Sequence, residues 1–404
     1  MFKITMAKST NNTAISSALN SLKQNYTPSN IVSLYSKTAL ELKDAKEFYG
    51  KSYYPGQLVP NFYQTKYEAE QDDTDNSSSD IVIDEKFKIV LQTQQQQQPQ
   101  QEIEDTNVFN INQYFQGLKS ILFGNQIIHS KLLSSTQSLS LKYLSNTKQG
   151  IVVVSDQQTN GKGRGGNQWV SPMGCLLYSF KCKQTDGTKL PFLQYVAGLA
   201  LIEAIHSFPI ASDLNVRLKW PNDIYDGDSN LKIGGILCQS NYFDNQFDIT
   251  IGIGLNVTNS SNPTISINEM IFKKENKKTT TTTTTTTTTI TTTPTTTPTP
   301  IYISRESLLS RFFNVFEEIY LTFTRDGFRT LEKRYTDAWL HSGSVVQIKE
   351  KNNQYVKIIG ITENAFLKSI ECDSNGNQTS NIIHELHPDG TSFDIENLIL
   401  KEKK

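Results

Sequence analysis

The 404-residue chain (45.6 kDa) is 36% hydrophobic and only 20% charged, so uncharged polar residues stand where apolar ones are usual, which points to low-complexity inserts and not to a charged disordered tail. Lys+Arg 39 against Asp+Glu 40 gives a net charge of −1, which excludes a global pull toward nucleic acid or an anionic membrane surface. Apolar runs fall short of the ~20 residues of a membrane span, and four scattered cysteines (Cys175, Cys182, Cys238, Cys372) with no C-x-x-C pair fit a reducing compartment better than a disulfide framework or a zinc site.

In chain order, the N-terminus carries Lys3, Lys8, Lys23 and Lys37 with no acid before Glu41. It lacks the arginines of a mitochondrial presequence and reads as a disordered arm of a cytoplasmic protein, with a mitochondrial pool left open. Residues 70–80 are acidic and Ser-rich, Gln94–Gln98 is a glutamine run, and residues 279–300 hold 18 Thr, three Pro and one Ile. Such segments bury too little apolar surface to offset the entropy of ordering. The chain therefore divides into a poorly defined region 1–108, a catalytic-size unit 109–340 interrupted by a disordered insert 273–300, and a small unit 341–404.

Within the first unit Ile151–Val154, Leu176–Lys181 and Ile233–Leu237 read as buried strands. Pro191 stands at a helix start, followed by Leu193, Ala197, Ala200, Leu201, Ala204 and Ile205 at helical spacing. Ile249, Ile251, Ile253 and Leu255 alternate at period two, the pattern of a half-buried strand. After the insert, Leu308, Leu309, Phe312, Phe316, Ile319, Tyr320 and Phe323 form one helix face, Gly327 interrupts, and Phe328–Leu340 continues as helix. From Gly343 onward, Val345–Ile348, Val356–Ile361, Phe366–Cys372 and Ile382–Leu386 are short strands between Asn- and Gly-bearing turns, as in a small β-barrel.

Three segments carry chemistry. Gln158 to Trp169 contains Gly161-Lys162-Gly163-Arg164-Gly165-Gly166, whose glycines permit a concave cradle of backbone N–H groups for an anion, reinforced by Lys162 and Arg164. Its G-x-G-x-x-G spacing is a weak dinucleotide signal, and the six residues from Val154 to Gly161 argue against a Rossmann turn. Alone, the segment is equally readable as a flexible surface hairpin. Lys219-Trp220-Pro221-Asn222-Asp223 brackets a rigid corner with an ammonium, an amide and a carboxylate, suited to a nucleotide and Mg2+ or to an ordinary Asn-Asp turn. Lys232-Ile233-Gly234-Gly235 sets an ammonium beside unobstructed backbone, or is a plain edge-strand lysine. Cys175 and Cys238 read as inert core thiols, and His384 and His387 as surface histidines, since H-x-x-H is not the H-E-x-x-H zinc pattern.

Together and in this order the three segments resemble the biotin protein ligases, called holocarboxylase synthetases in eukaryotes. Ser134-Ser135-Thr136-Gln137, Trp169-Val170-Ser171-Pro172-Met173-Gly174, Gly252-Ile253-Gly254-Leu255-Asn256 and His387-Pro388-Asp389-Gly390-Thr391-Ser392-Phe393-Asp394 are similar to further motifs of that family, the last of its eukaryotic type. The resemblance covers residues 110–272 and 301–402 and says nothing of 1–108.

The resemblance implies an α+β fold, a mixed central β-sheet flanked by helices like that of class II aminoacyl-tRNA synthetases, with a small Src-homology-3-like C-terminal barrel. It implies an enzyme that joins biotin and ATP, with Mg2+, into biotinyl-5′-adenylate and passes biotin to a lysine in the acceptor domains of biotin-dependent carboxylases, with neither nucleic acid nor membrane as partner. Carried over, Arg164, Lys232 and Asp223 are catalytic. Ser135, Thr136, Gln158, Gly161, Arg164 and Lys232 bind biotin. Lys162, Gly163, Trp169, Lys219, Asn222, Asp223 and Asn256 bind ATP, and Asp223 is the residue nearest a Mg2+. The alternatives are a lipoate–protein ligase and a non-catalytic biotin-binding regulator.

Overall fold

The computed structural model describes residues 107–144, 149–259, 263–282, 301–388, 391–394 and 397–402, with two strands at 32–36 and 91–93. The expected acidic, glutamine-rich and most of the Thr/Pro tracts, and nearly all of region 1–108, lie outside these residues.

A nine-stranded mixed sheet forms the centre. In chain order its strands are β1 (Val32–Ser36), β2 (Leu91–Thr93), β3 (Gln126–Leu133), β4 (Ile151–Gln158), β7 (Cys175–Gln184), β8 (Val216–Lys219), β9 (Asp223–Asp226), β10 (Lys232–Phe243) and β11 (Gln246–Asn256). Across the sheet they run β2-β1-β3-β4-β7-β11-β10-β9-β8. The pairs β1–β2 and β3–β4 are parallel and the others antiparallel. A separate hairpin, β5 (Gly161–Lys162) with β6 (Gln168–Trp169), rises between β4 and β7.

The period-two pattern on β11 marks something other than a half-exposed strand. Ile249, Ile251, Ile253 and Leu255 are buried, and so is Thr250 between them. Directly opposed residues of paired strands share a face, so Ile251 lies with Phe180 and Ile253 with Tyr178, while Gly252 lies with Ser179 on the other side. Helix α1 (Ile111–Gly117) precedes β3, and α2 (Thr136–Tyr143) follows it. One face of β11 is core and the other is covered by α2, whose Gln137 amide donates to the Thr250 carbonyl at 3.3 Å.

The core face is closed by α5 (Arg305–Asp326). Ser304 caps its N-terminus by accepting from Ser307 N at 3.1 Å, Glu306 and Arg325 complement the helix dipole, and Gly327 at φ 80° ends it. Phe316, fully buried, meets Phe123 at 4.9 Å and Phe180 at 5.0 Å, both near edge-on, and Phe312 and Tyr320 at 5.5 and 5.6 Å. The first residue of α5 is anchored by charge. Asp156, 1% exposed, accepts from Arg305 Nη1 at 3.0 Å and Phe109 N at 2.9 Å, and faces His129 Nε2 at 2.9 Å.

Other expectations shift at their edges. β4 runs on to Gln158, so two residues and not six precede the glycine-rich hairpin. Pro191 lies inside a 3-10 turn, Gly187–Phe192, that leads into α3 (Leu193–His206). The segment Gly187–His206 is long and apolar enough to cross a membrane, yet 67% of its apolar window is buried inside the protein, as expected of a core helix. The first residues of the expected insert, from 273, are helical: α4 (Ile267–Thr282) runs into it as far as Thr282, supported by Glu269 N donating to Ser266 Oγ and by the Glu269–Lys273 pair one turn apart. Residues 328–340 are not one helix. A 3-10 turn (Phe328–Thr330) and a short α6 (Glu332–Asp337) replace it, because the chain then leaves to join the sheet edge.

That junction ties the C-terminal unit to the central sheet. Leu218 N donates to Ala338 O and Leu340 N to Leu218 O, both at 2.8 Å, so residues 338–340 run beside β8. Beyond them, β12 (Val345–Ile348), β13 (Gln354–Ile361), β14 (Leu367–Cys372), β15 (Gln378–Leu386), β16 (Thr391–Asp394) and β17 (Ile399–Glu402) form a six-stranded sheet in the order β15-β14-β13-β12-β17-β16. Its Val346, Leu367 and Leu400 join one continuous hydrophobic core with the first unit.

Two stability predictions follow from this packing. Phe316→Ala is expected to destabilise the protein by about 3–5 kcal/mol in urea unfolding, the cost of an uncollapsed aromatic cavity; a loss under about 1 kcal/mol would mean that the cluster is not the core. His341 is fully buried, and burial together with nearby Lys219 lowers its pKa from 6.5 to about 3. A depressed folded-state pKa gives stability that is complete above pH 6.5 and is lost as pH falls toward 3. The drop in Tm from pH 7 to pH 4.5 is therefore expected to be smaller in His341→Phe than in the wild type, and equal drops would refute the assignment.

Candidate active site

A cavity of about 250 Å³ opens on the non-core face of β11. At one end it is lined by neutral hydrogen-bonding groups. Ser135 caps α2, its hydroxyl accepting from Ser138 N, and so delivers Thr136 and Gln137 to the sheet. Gln158, the last residue of β4, accepts from Thr136 N at 2.7 Å and Thr136 Oγ1 at 3.2 Å, and donates to Ser171 Oγ at 3.1 Å. The Thr136 and Ser179 hydroxyls are 2.9 Å apart, and Ser179 donates to Gln137 Oε1 at 3.1 Å. This is a connected polar network with donors and acceptors of fixed direction, the equipment for a small polar ring system.

The other end is cationic. Neighbouring registers bring Lys219 opposite Asp223 and Asp223 opposite Gly235 across β8, β9 and β10. A register shift between Lys232 and Gly234 re-aims Lys232, whose Nζ meets Asp223 Oδ1 at 2.6 Å. Asn222 is tied to β10 in both directions, donating from Nδ2 to Ile236 O and accepting from Ile236 N through its own carbonyl. Its Oδ1 faces Arg164 Nη1 at 3.5 Å. The Trp220–Pro221 peptide is cis. Lys162, Arg164, Lys219 and Lys232 line the cavity with Asp223 as the one carboxylate among the described residues.

Between the ends stands Trp169. Lys232 Nζ lies 5.7 Å from its ring, and the ring occupies space that a side chain at Gly254 would fill: an added Cβ there falls 2.6 Å from Cε2. Gly252 does the same for Gln137, at 2.3 Å from Oε1. The glycines of this strand make room for the two side chains that shape the cavity.

Of the residues expected in the site, Ser135, Thr136, Gln158, Lys162, Gly163, Arg164, Trp169, Lys219, Asn222, Asp223 and Lys232 line this one cavity. Gly161 and Asn256 do not. Gly161 opposes Trp169 in the hairpin, where a Cβ would fall 2.5 Å from the Trp169 carbonyl. Asn256 is buried behind the site, donating to Ile265 O and accepting from Cys175 Sγ. The hairpin also differs from an open cradle, because Gly163 N donates to Asn167 O at 2.7 Å within it. Gly165 and Gly166, at φ 68° and 83°, are required there for backbone geometry, with nothing near their Cβ positions.

Sequence reasoning missed Gln137, Ser179, Gly252, Gly254, Thr391 and Phe393 as site residues. The signal for Ser179 is a small hydroxyl in the middle of an apolar strand, and Thr391 and Phe393 belong to the C-terminal His387–Asp394 motif. Burial raises the Cys175 thiol to about 12 and pushes that of Cys238 up, consistent with inert cysteines. His384 faces Glu371 Oε1 at 3.0 Å, and among the described residues no group of three His, Cys, Asp or Glu side chains is placed to hold a metal ion.

The chain matches the biotin/lipoate A/B protein ligase family over residues 130–256. It is 34% identical over 337 residues to Biotin--protein ligase 2 of Arabidopsis thaliana, covering 81% of this chain and 89% of that protein. The chain belongs to the biotin protein ligase family. A Homo sapiens biotin--protein ligase is 34% identical over 305 residues, covering 73% of this chain and 38% of the human protein. Among solved structures, biotin protein ligase from Aquifex aeolicus in complex with biotin and ATP matches at 22% identity and a TM-score of 0.48, covering 69% of this chain and 99% of that one. In this biotin protein ligase, Gly254→Ala is expected to push Trp169 out of place at a cost of about 1–3 kcal/mol. Nucleotide-dependent activity should fall on the order of ten-fold with an unchanged far-UV circular dichroism spectrum, and full activity would refute the close-approach role of this glycine.

Proposed function

We propose that this protein activates biotin with ATP as biotinyl-5′-adenylate and transfers it to a lysine in the acceptor domains of biotin-dependent carboxylases. The observation that carries the reading is the cavity's lining: a neutral polar network about Gln158 and Thr136, four cations with a single carboxylate, Asp223, paired to Lys232, and the ring of Trp169. A carboxylate oxygen of biotin attacks the α-phosphorus of ATP, the bond to the bridging oxygen breaks and pyrophosphate leaves. An acceptor lysine then attacks the acyl carbon as the neutral amine, an amide forms as its nitrogen releases a proton to solvent, and AMP leaves with the electron pair of the broken bond.

The first step brings two anions together. In this assignment Arg164, Lys162 and Lys232, which line the cavity, offset their repulsion, a term worth far more in a water-poor site than in bulk water. The Lys232–Asp223 pair holds the ammonium in place before substrate arrives. In this assignment Ser135, Thr136 and Gln158, with Gln137 and Ser179, receive the ureido end of biotin, and Trp169, Lys219, Asn222 and Asp223 serve the nucleotide. A Mg2+ neutralises the phosphates when bound. One carboxylate, Asp223, fits an ion held chiefly by phosphate oxygens and water. The reading includes a cytoplasmic location, supported by four free cysteines.

Biotin-dependent ATP–pyrophosphate exchange, with none on lipoate, tests the proposal; exchange on lipoate alone would replace it with lipoate ligation, and no exchange on either would favour a non-catalytic regulator. Arg164→Ala and Lys232→Ala are expected to lower exchange on the order of a hundred-fold in folded protein. Wild-type rates in either would remove that residue from the chemistry.

A further inference from the structure

The cavity has a wall that belongs to the C-terminal sheet. Thr391 and Phe393, both on β16, line it together with the central-sheet residues. Phe393 is only 6% exposed, and its position is set by a run of rings. It stands edge-on to His341 at 5.0 Å and 75°; His341 lies flat on Trp339 at 4.7 Å and 17°; Trp339 meets Tyr335 edge-on at 5.5 Å; Tyr335 stacks on Tyr195 at 4.7 Å. The Tyr195 hydroxyl accepts from Trp220 Nε1 at 2.9 Å and donates to Ala365 O at 2.7 Å. Trp220 lines the same cavity. The run thus leaves the cavity at Phe393 and returns to it at Trp220.

His341 is the joint in this run. Its backbone follows Leu340, which is bonded to Leu218, so it lies beside the strand that delivers Lys219. Both of its ring nitrogens are buried without a hydrogen-bond partner. An imidazole that makes no polar contact serves here as a flat aromatic spacer, and burial keeps it neutral at pH 7. Phe393 is therefore held where His341 lies beside the strand that delivers Lys219, and both Phe393 and Lys219 line the cavity.

We propose that Phe393 is a further substrate-contacting residue of the nucleotide end, packing on adenosine, and that His341 is the residue that positions it. The proposal rests on the assignment of the Lys219 end to ATP. Aromatic contacts to a base are worth enough to read in a Michaelis constant.

Steady-state biotin-dependent pyrophosphate exchange on the full chain separates the outcomes. Phe393→Ala is expected to raise KM for ATP on the order of ten-fold and leave KM for biotin within about two-fold. His341→Ala is expected to do the same, and His341→Phe, which keeps a flat ring without nitrogens, to return KM for ATP to near the wild-type value. Should Phe393→Ala not fold by circular dichroism, Phe393→Leu, which keeps apolar volume and loses the ring, must show the same selective rise. Unchanged KM for ATP in folded Phe393 variants, or equal losses for both substrates, would overturn the proposal. Absence of exchange in the wild type would instead sink the assigned reaction.

Discussion

The structure turns on one strand with two buried faces. β11 is paired over nearly its whole length on both sides, with β7 and β10. Its one face packs into the core and its other meets α2 and the cavity, so each residue must suit either the core or the site. Isoleucines take the core side, where Phe180, Phe316 and their neighbours interlock. Glycines take the other, because Trp169 and Gln137 already fill the space a side chain would need. Core stability and cavity shape are thus written into alternate residues of one segment, and neither can be repacked without the strand that serves the other.

Charge is distributed by the same economy. The whole chain is close to neutral, at −1, yet four cations and one carboxylate line the one cavity. Asp223 pairs with Lys232 at 2.6 Å and holds its ammonium in place. An anion that enters the cavity meets the lysine and arginine side chains lining it. Opposite charges about 4 Å apart attract by about 4 kcal/mol at an effective dielectric near 20, against about 1 kcal/mol in water.

The three motif segments were legible in the sequence because each confines distinctive chemistry to a few adjacent residues, and their convergence follows from strand register. What was not legible depends on partners distant in the chain. The alternation on β11 reads the same whether its second face meets water or α2. Gly161 and Asn256 belong to motifs but support them from behind, and only the positions of Trp169 and Cys175 reveal it. The helical pattern after Gly327 fails at Ala338 because Leu218 offers the backbone a competing set of hydrogen bonds. Phe393 lines the cavity at the end of a run of rings that begins at Tyr195, nearly two hundred residues earlier in the chain.

The short stretch beside β8 has a further consequence. β8 is the last strand in the order of the large sheet, and an outermost strand presents unpaired backbone groups to any extended chain nearby. Residues 338–340 occupy part of that rim from within the same polypeptide. The segment that leads to the C-terminal sheet is therefore also a guard against self-association: a protein lacking it would expose a sticky border, and its solubility would suffer before its chemistry was ever tested.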